Sequence, residues 1–264
     1  MGKRNLLSSY LLGLGGALVM ALSFGVQAQI AGSKHDLTGT GGAGNKVTNG
    51  SPEICVFCHT PHASNTNLAA PLWNKAVSPS ALTTYSQTSS STMDGTVTTG
   101  GVSLACLACH DGTQAMDVMI NTPGSGGVTA GARAYSGNTW SSNVDGKIVQ
   151  TSVANLGTDL TNDHPIQIPY CGGGMTLAGG VGVLTNCADG DFNVPVTMAT
   201  NTIAYFDGAP TNGKRDKNDI QLYSRSGGYF VECGSCHDPH NSTTNTFLRR
   251  SNAASAVCLT CHNK

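Results

Sequence analysis

The sequence predicts a chain that is mostly coil, with short helical turns at four repeats of one motif, few short strands, and an interior that aliphatic side chains alone do not supply. Three observations lead there. Charged residues are 11% of the 264 residues and glycine fills 34 positions, against about 25% and about 7% in an ordinary globular chain. Aromatic residues are 6%, and the long stretches of Gly, Ser, Thr and Asn are poor material for helices or sheets. Eight of the ten cysteines fall into four copies of Cys-x-x-Cys-His.

Residues 1–28 read as an export signal that is removed. Lys3 and Arg4 form a basic start, residues 10–26 an apolar stretch, and Val26-Gln27-Ala28 a small-residue cleavage pattern. A retained membrane anchor is the alternative. Residues 29–264 then form one domain, expected outside the cytoplasm, in the extracellular space or on the outer cell surface, with the periplasm as alternative. No later stretch is apolar for about 18 residues, so no membrane span is expected in the mature chain. The formal charge of −1, with no basic tract or acidic tail, gives no basis for nucleic acid as a partner.

The four motifs are Cys55-Val-Phe-Cys58-His59, Cys106-Leu-Ala-Cys109-His110, Cys233-Gly-Ser-Cys236-His237 and Cys258-Leu-Thr-Cys261-His262. Cysteines at i and i+3 share one side of a helical turn. There both can form thioether bonds to the vinyl groups of one porphyrin, and the histidine at i+4 stands beneath the iron as proximal ligand. At this composition roughly 0.01 matches to this haem-attachment pattern are expected by chance, against the four present. A zinc site built from thiolates, with or without imidazoles, or a disulfide framework leaves the invariable histidine unexplained. Four covalent haems c are therefore expected, on Cys55, Cys58, Cys106, Cys109, Cys233, Cys236, Cys258 and Cys261, with His59, His110, His237 and His262 as proximal ligands. The fold class follows: a multihaem cytochrome c wrapped around a stacked haem row, in which covalent cofactors act as staple and core.

Between the motifs the chain looks like a two-haem unit used twice. The first pair starts at Cys55 and Cys106, the second at Cys233 and Cys258. Residues 78–100 are Ser/Thr-rich and read as an exposed loop. Short strands are expected at Ile203–Phe206 and Tyr229–Val231. Cys171 and Cys187 are the two leftover cysteines, expected to pair as a disulfide in an exported chain.

Four histidines remain: His35, His62, His164 and His240. Four spare imidazoles for four irons lead to the expectation that each iron is bis-histidine. Met93, Met116, Met119, Met175 and Met198 sit in no recognisable ligand pattern. His62 follows His59 by three residues in CHTPHAS, and His240 follows His237 by three in CHDPHNS. Three residues of about 3.5 Å each cannot carry a side chain around a porphyrin to its other face, so each should bind a different iron. His35 is assigned to the haem on Cys55 and Cys58, and His164 and His240 to the second and third haems in an order left open.

Four CxxCH sites, Lys34-His35-Asp36 near the mature N-terminus, and the segments CVFCHTPHAS and CGSCHDPHNS together resemble the filament-forming extracellular multihaem c-type cytochromes of metal-reducing bacteria, most closely their tetrahaem type. The resemblance covers the haem motifs well and the glycine-rich middle poorly. It implies a coil-rich subunit, bis-histidine haems in close contact, and head-to-tail polymerisation of the chain with itself into an electron-conducting filament. It also implies that one haem takes its distal histidine from the adjacent subunit. His62 best fits that role, with the fourth haem as the expected recipient.

Bis-histidine iron has no open position for substrate, so the expected function is electron transport and not enzyme catalysis. Other cytochromes are the expected donors, and a metal oxide or electrode an expected extracellular acceptor. A monomeric periplasmic shuttle is the alternative, and a multihaem reductase, which needs an open iron, a further one.

Overall fold

The computed structural model describes residues 30–39, 44–48, 53–78, 80–86, 90–122, 133–134, 140–142, 145–197, 203–208, 211–244 and 246–263. The expected export signal at 1–28 lies outside them, as does Met198. No helix among the described residues is long and apolar enough to cross a membrane.

Helices are short and sit at the motifs. A 3-10 turn at Ile54–Phe57 carries the first motif. Helix α1, Ser103–His110, carries the second, α2, Cys233–Cys236, the third, and α3, Cys258–Cys261, the fourth. The Leu and Ala of SLACLACH favour helix, which makes α1 the longest of these. Gly112, at φ 69°, follows its end.

The strands exceed what the sequence predicts. Val118–Met119 (β1) and Arg133–Ala134 (β2) form a small pair. A seven-stranded antiparallel sheet then occupies the stretch between the second and third motifs. Its strands are Ile168–Pro169 (β3), Thr176–Ala178 (β4), Val181–Val183 (β5), Val196–Thr197 (β6), Ile203–Phe206 (β7), Ile220–Arg225 (β8) and Gly228–Val231 (β9), in the spatial order β3-β9-β8-β7-β6-β5-β4. The expected strand at Ile203–Phe206 is present as β7, and that at Tyr229–Val231 begins one residue earlier as β9. Most of the remainder is coil.

Two small cores replace one large one. Leu37, Val47, Phe57, Met116 and Met119 form the first, and Cys58, Cys109 and Trp140 pack against it. Tyr170, Met175, Ala204, Phe206, Ile220 and Leu222 form the second, on the sheet, with Val257 and Cys261 against it. Cys171 and Cys187 form the expected disulfide, Cα atoms 5.5 Å apart, and pin the β4–β5 hairpin to that core. The sheet also aims the third motif: β9 runs through Glu232 directly into α2.

Candidate haem sites

Each motif closes the same backbone bond. The histidine N–H donates to the carbonyl of the first cysteine at 2.8 Å in the first motif and at 3.0 Å in the third and fourth. In the second the same residues lie within α1. Both sulfurs and the imidazole are thereby collected on one turn. Burial pushes the Cys58 and Cys236 thiols up to about 11 and Cys261 to about 12. These sulfurs are thus placed as neutral groups in apolar surroundings, where a thioether is at home.

The motif histidines are oriented from behind. His59 Nδ1 bonds the carbonyl of Pro71 at 2.8 Å, His110 Nδ1 that of Ala154 at 2.7 Å, and His237 Nδ1 that of Thr246 at 2.7 Å. A carbonyl only accepts, so Nδ1 carries the proton and Nε2 is left as an electron-pair donor. This is the usual outer support of a metal-bound imidazole.

The first and third motifs share a local fold. Thr60 N–H donates to Leu72 O and Asn74 N–H to Cys58 O, each at 2.8 Å; Asp238 N–H donates to Phe247 O and Arg249 N–H to Cys236 O, each at 2.8 Å. In both, the segment after Cys-His-x-Pro-His turns back along the motif and supplies the carbonyl behind the histidine. The repeated two-motif unit expected from sequence is visible here in hydrogen bonding.

Three of the four spare histidines face a motif histidine. His35 lies against His110 with ring centres 6.1 Å apart, His240 against His59 at 6.0 Å, and His164 against His262 at 6.4 Å. Two imidazoles on opposite sides of one metal, with metal–nitrogen bonds of about 2.0–2.1 Å as for zinc, have ring centres about 6–6.5 Å apart. The spacing suits a metal between each pair. The arrangement differs from the sequence assignment at all three histidines: His35 meets His110 of the second motif and not His59 of the first, its ring stacking on Phe247 at 4.2 Å, while His240 meets His59 of the first motif and His164 meets His262 of the fourth, where the second and third were expected.

The remaining two imidazoles are not matched to each other. Among the described residues, His237 has no facing imidazole in ring contact, its ring contact being the Nδ1 bond to Thr246. His62 is exposed, and no side-chain bond of its own is present among the described residues. Its carbonyl, in contrast, is held by Asn121 Nδ2 at 2.7 Å and by Thr60 Oγ1 at 3.0 Å.

Neighbouring motifs approach one another through their cysteines. Cys58 and Cys109 pack on the same core, Cys106 and Cys233 are within hydrogen-bonding reach of each other, and Cys236 is close enough to Cys258 and Cys261 for their charges to interact. The second contact is reinforced by a buried ion pair. Glu232, 1% exposed, lies 3.3 Å from Arg225 and accepts hydrogen bonds from the Ser103 hydroxyl and, at 3.3 Å, from its N–H. The Ser103 hydroxyl oxygen accepts from Cys233 N–H at 2.9 Å. α1 and α2 are thus tied together at their N-terminal ends. Sequence reasoning did not find Glu232, Ser103 or Arg225; a Glu immediately before Cys233, next to a strand, was the available signal.

No three His, Cys, Asp or Glu among the described residues converge to hold a bare metal ion. The motif cysteines do not assemble into tetrahedral sets.

Residues 228–264 match the family model described as the doubled CXXCH motif. The match covers the third and fourth motifs and β9, which leads into them. No curated protein matches the chain. The CXXCH motif implies covalent attachment of haem c, and its doubling is the pattern of multihaem c-type cytochromes in electron transfer.

Proposed function

We propose that this chain is a tetrahaem electron conduit whose subunits join head to tail through an iron–imidazole bond. The observation that carries the reading is the set of three imidazole pairs at 6.0–6.4 Å, each joining one motif histidine to one distant histidine. His110 with His35, His59 with His240 and His262 with His164 would then each hold one haem iron. Haem supplies one-electron chemistry when bound. The chain's contribution is to fix each imidazole by a carbonyl behind Nδ1, to exclude exogenous ligands from the iron, and to bring successive motifs together. The cysteine contacts support an order of the haems as one-two-three-four.

Two imidazoles are left over, His237 without a distal partner and His62 without an iron. The fourth haem, expected from sequence to be the open one, has His164 at hand, so the third takes its place. On this reading His62 of one subunit ligates the third haem of the next. The two surfaces differ, and heterologous contacts that do not close into a ring extend into open filaments. Export, an extracellular acceptor such as a metal oxide or electrode, and other cytochromes as donors belong to the same proposal. A reductase needs an iron kept open, and on this reading the one motif histidine without a facing imidazole, His237, receives its partner from the adjacent subunit.

Purified protein is expected to contain four haems per chain by pyridine haemochrome assay. Electron microscopy of extracellular material should show filaments. Fewer haems, or monomeric particles whose irons are all low-spin, would reject the conduit or the polymer respectively.

A further inference from the structure

Ser103 opens α1 and Glu232 immediately precedes α2, 129 positions further along the chain, yet the two meet in the interior. Ser103 is 0% exposed and Glu232 1%. One carboxylate oxygen of Glu232 accepts both the Ser103 hydroxyl and, at 3.3 Å, the Ser103 N–H. The Ser103 hydroxyl oxygen in turn accepts from Cys233 N–H at 2.9 Å. The first N–H groups of a helix have no partner inside it. Here each helix gives one of them to a side chain brought by the other.

The junction is anchored on both sides. Glu232 N–H donates to Ser235 Oγ at 2.9 Å and Ser235 N–H to Glu232 O at 2.8 Å, which locks Glu232 to the turn of α2. Gly234 O, in the same turn, accepts from Arg249 Nε at 2.9 Å and from Gln221 Nε2 of β8 at 3.3 Å. On α1, Leu107 and Ala108 are buried. Cys106, one turn beyond Ser103, comes within hydrogen-bonding reach of Cys233. Cys58 and Cys109 share a core within the first half of the chain, and Cys236 lies near Cys258 within the second. The contact of α1 with α2 is the one that joins the halves.

We propose that Ser103 and Glu232 are positioning residues that set the separation and mutual orientation of the second and third haems, where the row passes from one two-motif unit to the other. The proposal rests on the tetrahaem reading above. Thioether bonds fix each haem to its own helix, so the angle and spacing of α1 and α2 carry over to the haems. One electron passing there oxidises a ferrous iron on one side and reduces a ferric iron on the other, with no atom transferred, and its rate falls steeply with separation. Removing one partner of this junction leaves the others buried and unpaired, and the helices shift to relieve it.

The test is circular dichroism of the Soret band of the holoprotein. Neighbouring haems couple there and give paired bands of opposite sign, whose intensity depends on distance and angle. Ser103→Ala removes the hydroxyl, Glu232→Leu removes the acceptor, and Ser103→Thr keeps the hydroxyl. The double variant Cys171→Ser with Cys187→Ser loosens the sheet and leaves the junction untouched. The Ser103→Ala and Glu232→Leu variants are expected to keep four haems and to lose part of the paired-band intensity. Ser103→Thr and the disulfide variant should overlay the wild type. Should Glu232→Leu fail to fold, Ser103→Ala is read in its stead. A Ser103→Ala spectrum that overlays the wild type overturns the proposal, as does a Ser103→Thr or disulfide variant that loses as much intensity as Ser103→Ala. Failure of the underlying reading shows separately, as a wild-type chain with no haem on the peptide containing Cys106 and Cys109 or on that containing Cys233 and Cys236 by mass spectrometry.

Discussion

Glu232 lies between two haem motifs and is shielded from water on all sides. Burial is the largest influence on its carboxyl and raises its pKa above the ordinary 4.5, with Ser103 and Arg225 pulling the other way. Folded chains therefore hold this proton at higher pH than unfolded chains do. The stability the group contributes is present in full below the unfolded value and is lost as pH rises through the folded one. Glu232→Gln removes the titration. Its urea midpoint relative to wild type is expected to rise as the pH increases above the ordinary carboxyl value of 4.5. A difference independent of pH would mean that Arg225 cancels the burial cost. A buried ion pair is weak evidence for stability, and what this one visibly does is hold Ser103 of α1 against Cys233 of α2.

Among the elements, the turns after the first and third motifs and the sheet between motifs matter most. The sheet was the less legible part. Its strands are two to six residues long, too short for alternation to stand out. The hairpin of β8 and β9 was available in Ile220-Gln-Leu-Tyr, then Ser226-Gly227 and Tyr229-Phe-Val, a turn between apolar runs. The disulfide was legible because the four motifs left two cysteines unclaimed. It closes a separation of 16 residues and packs on the sheet core, and Tyr170 beside it donates its hydroxyl to Asn193 O at 2.7 Å and Cys261 O at 3.2 Å. Replacing Cys171 and Cys187 together by serine should cost about 3 kcal/mol, read as a lower thermal midpoint with haem content unchanged. A midpoint equal to wild type would show that the sheet holds without it. The motif turns were legible in full, since their spacing is itself the chemistry. The pairings of His35, His164 and His240 were not. The arm that carries His35 before Cys55 reaches either of the first two motifs, and contact with His110 and Phe247 is decided by a segment that follows the third motif.

At the scale of the whole molecule, the two cores are small, and the four motifs form a line of contacts between and beside them. The proposed row runs along that line, with Glu232 at the contact of the second and third motifs. What remains over is one imidazole on a braced turn, His62, and one motif histidine, His237, without a facing ring. The backbone of His62 is held by Asn121 and Thr60. The proposed head-to-tail assembly would supply each of the two histidines with the other. From sequence the count of eight histidines led to two imidazoles per iron and the resemblance to one shared between subunits, but spacing along a chain does not say which iron is served.

The most direct test of that account is low-temperature EPR of oxidised protein, comparing assembled wild type with His62→Ala. Attachment needs the cysteines and the motif histidine, so the variant should keep four haems. The account predicts only low-spin ferric iron in assembled wild type. In His62→Ala it predicts one high-spin haem in four and short or absent filaments. Full-length His62→Ala filaments with every haem low-spin would contradict it.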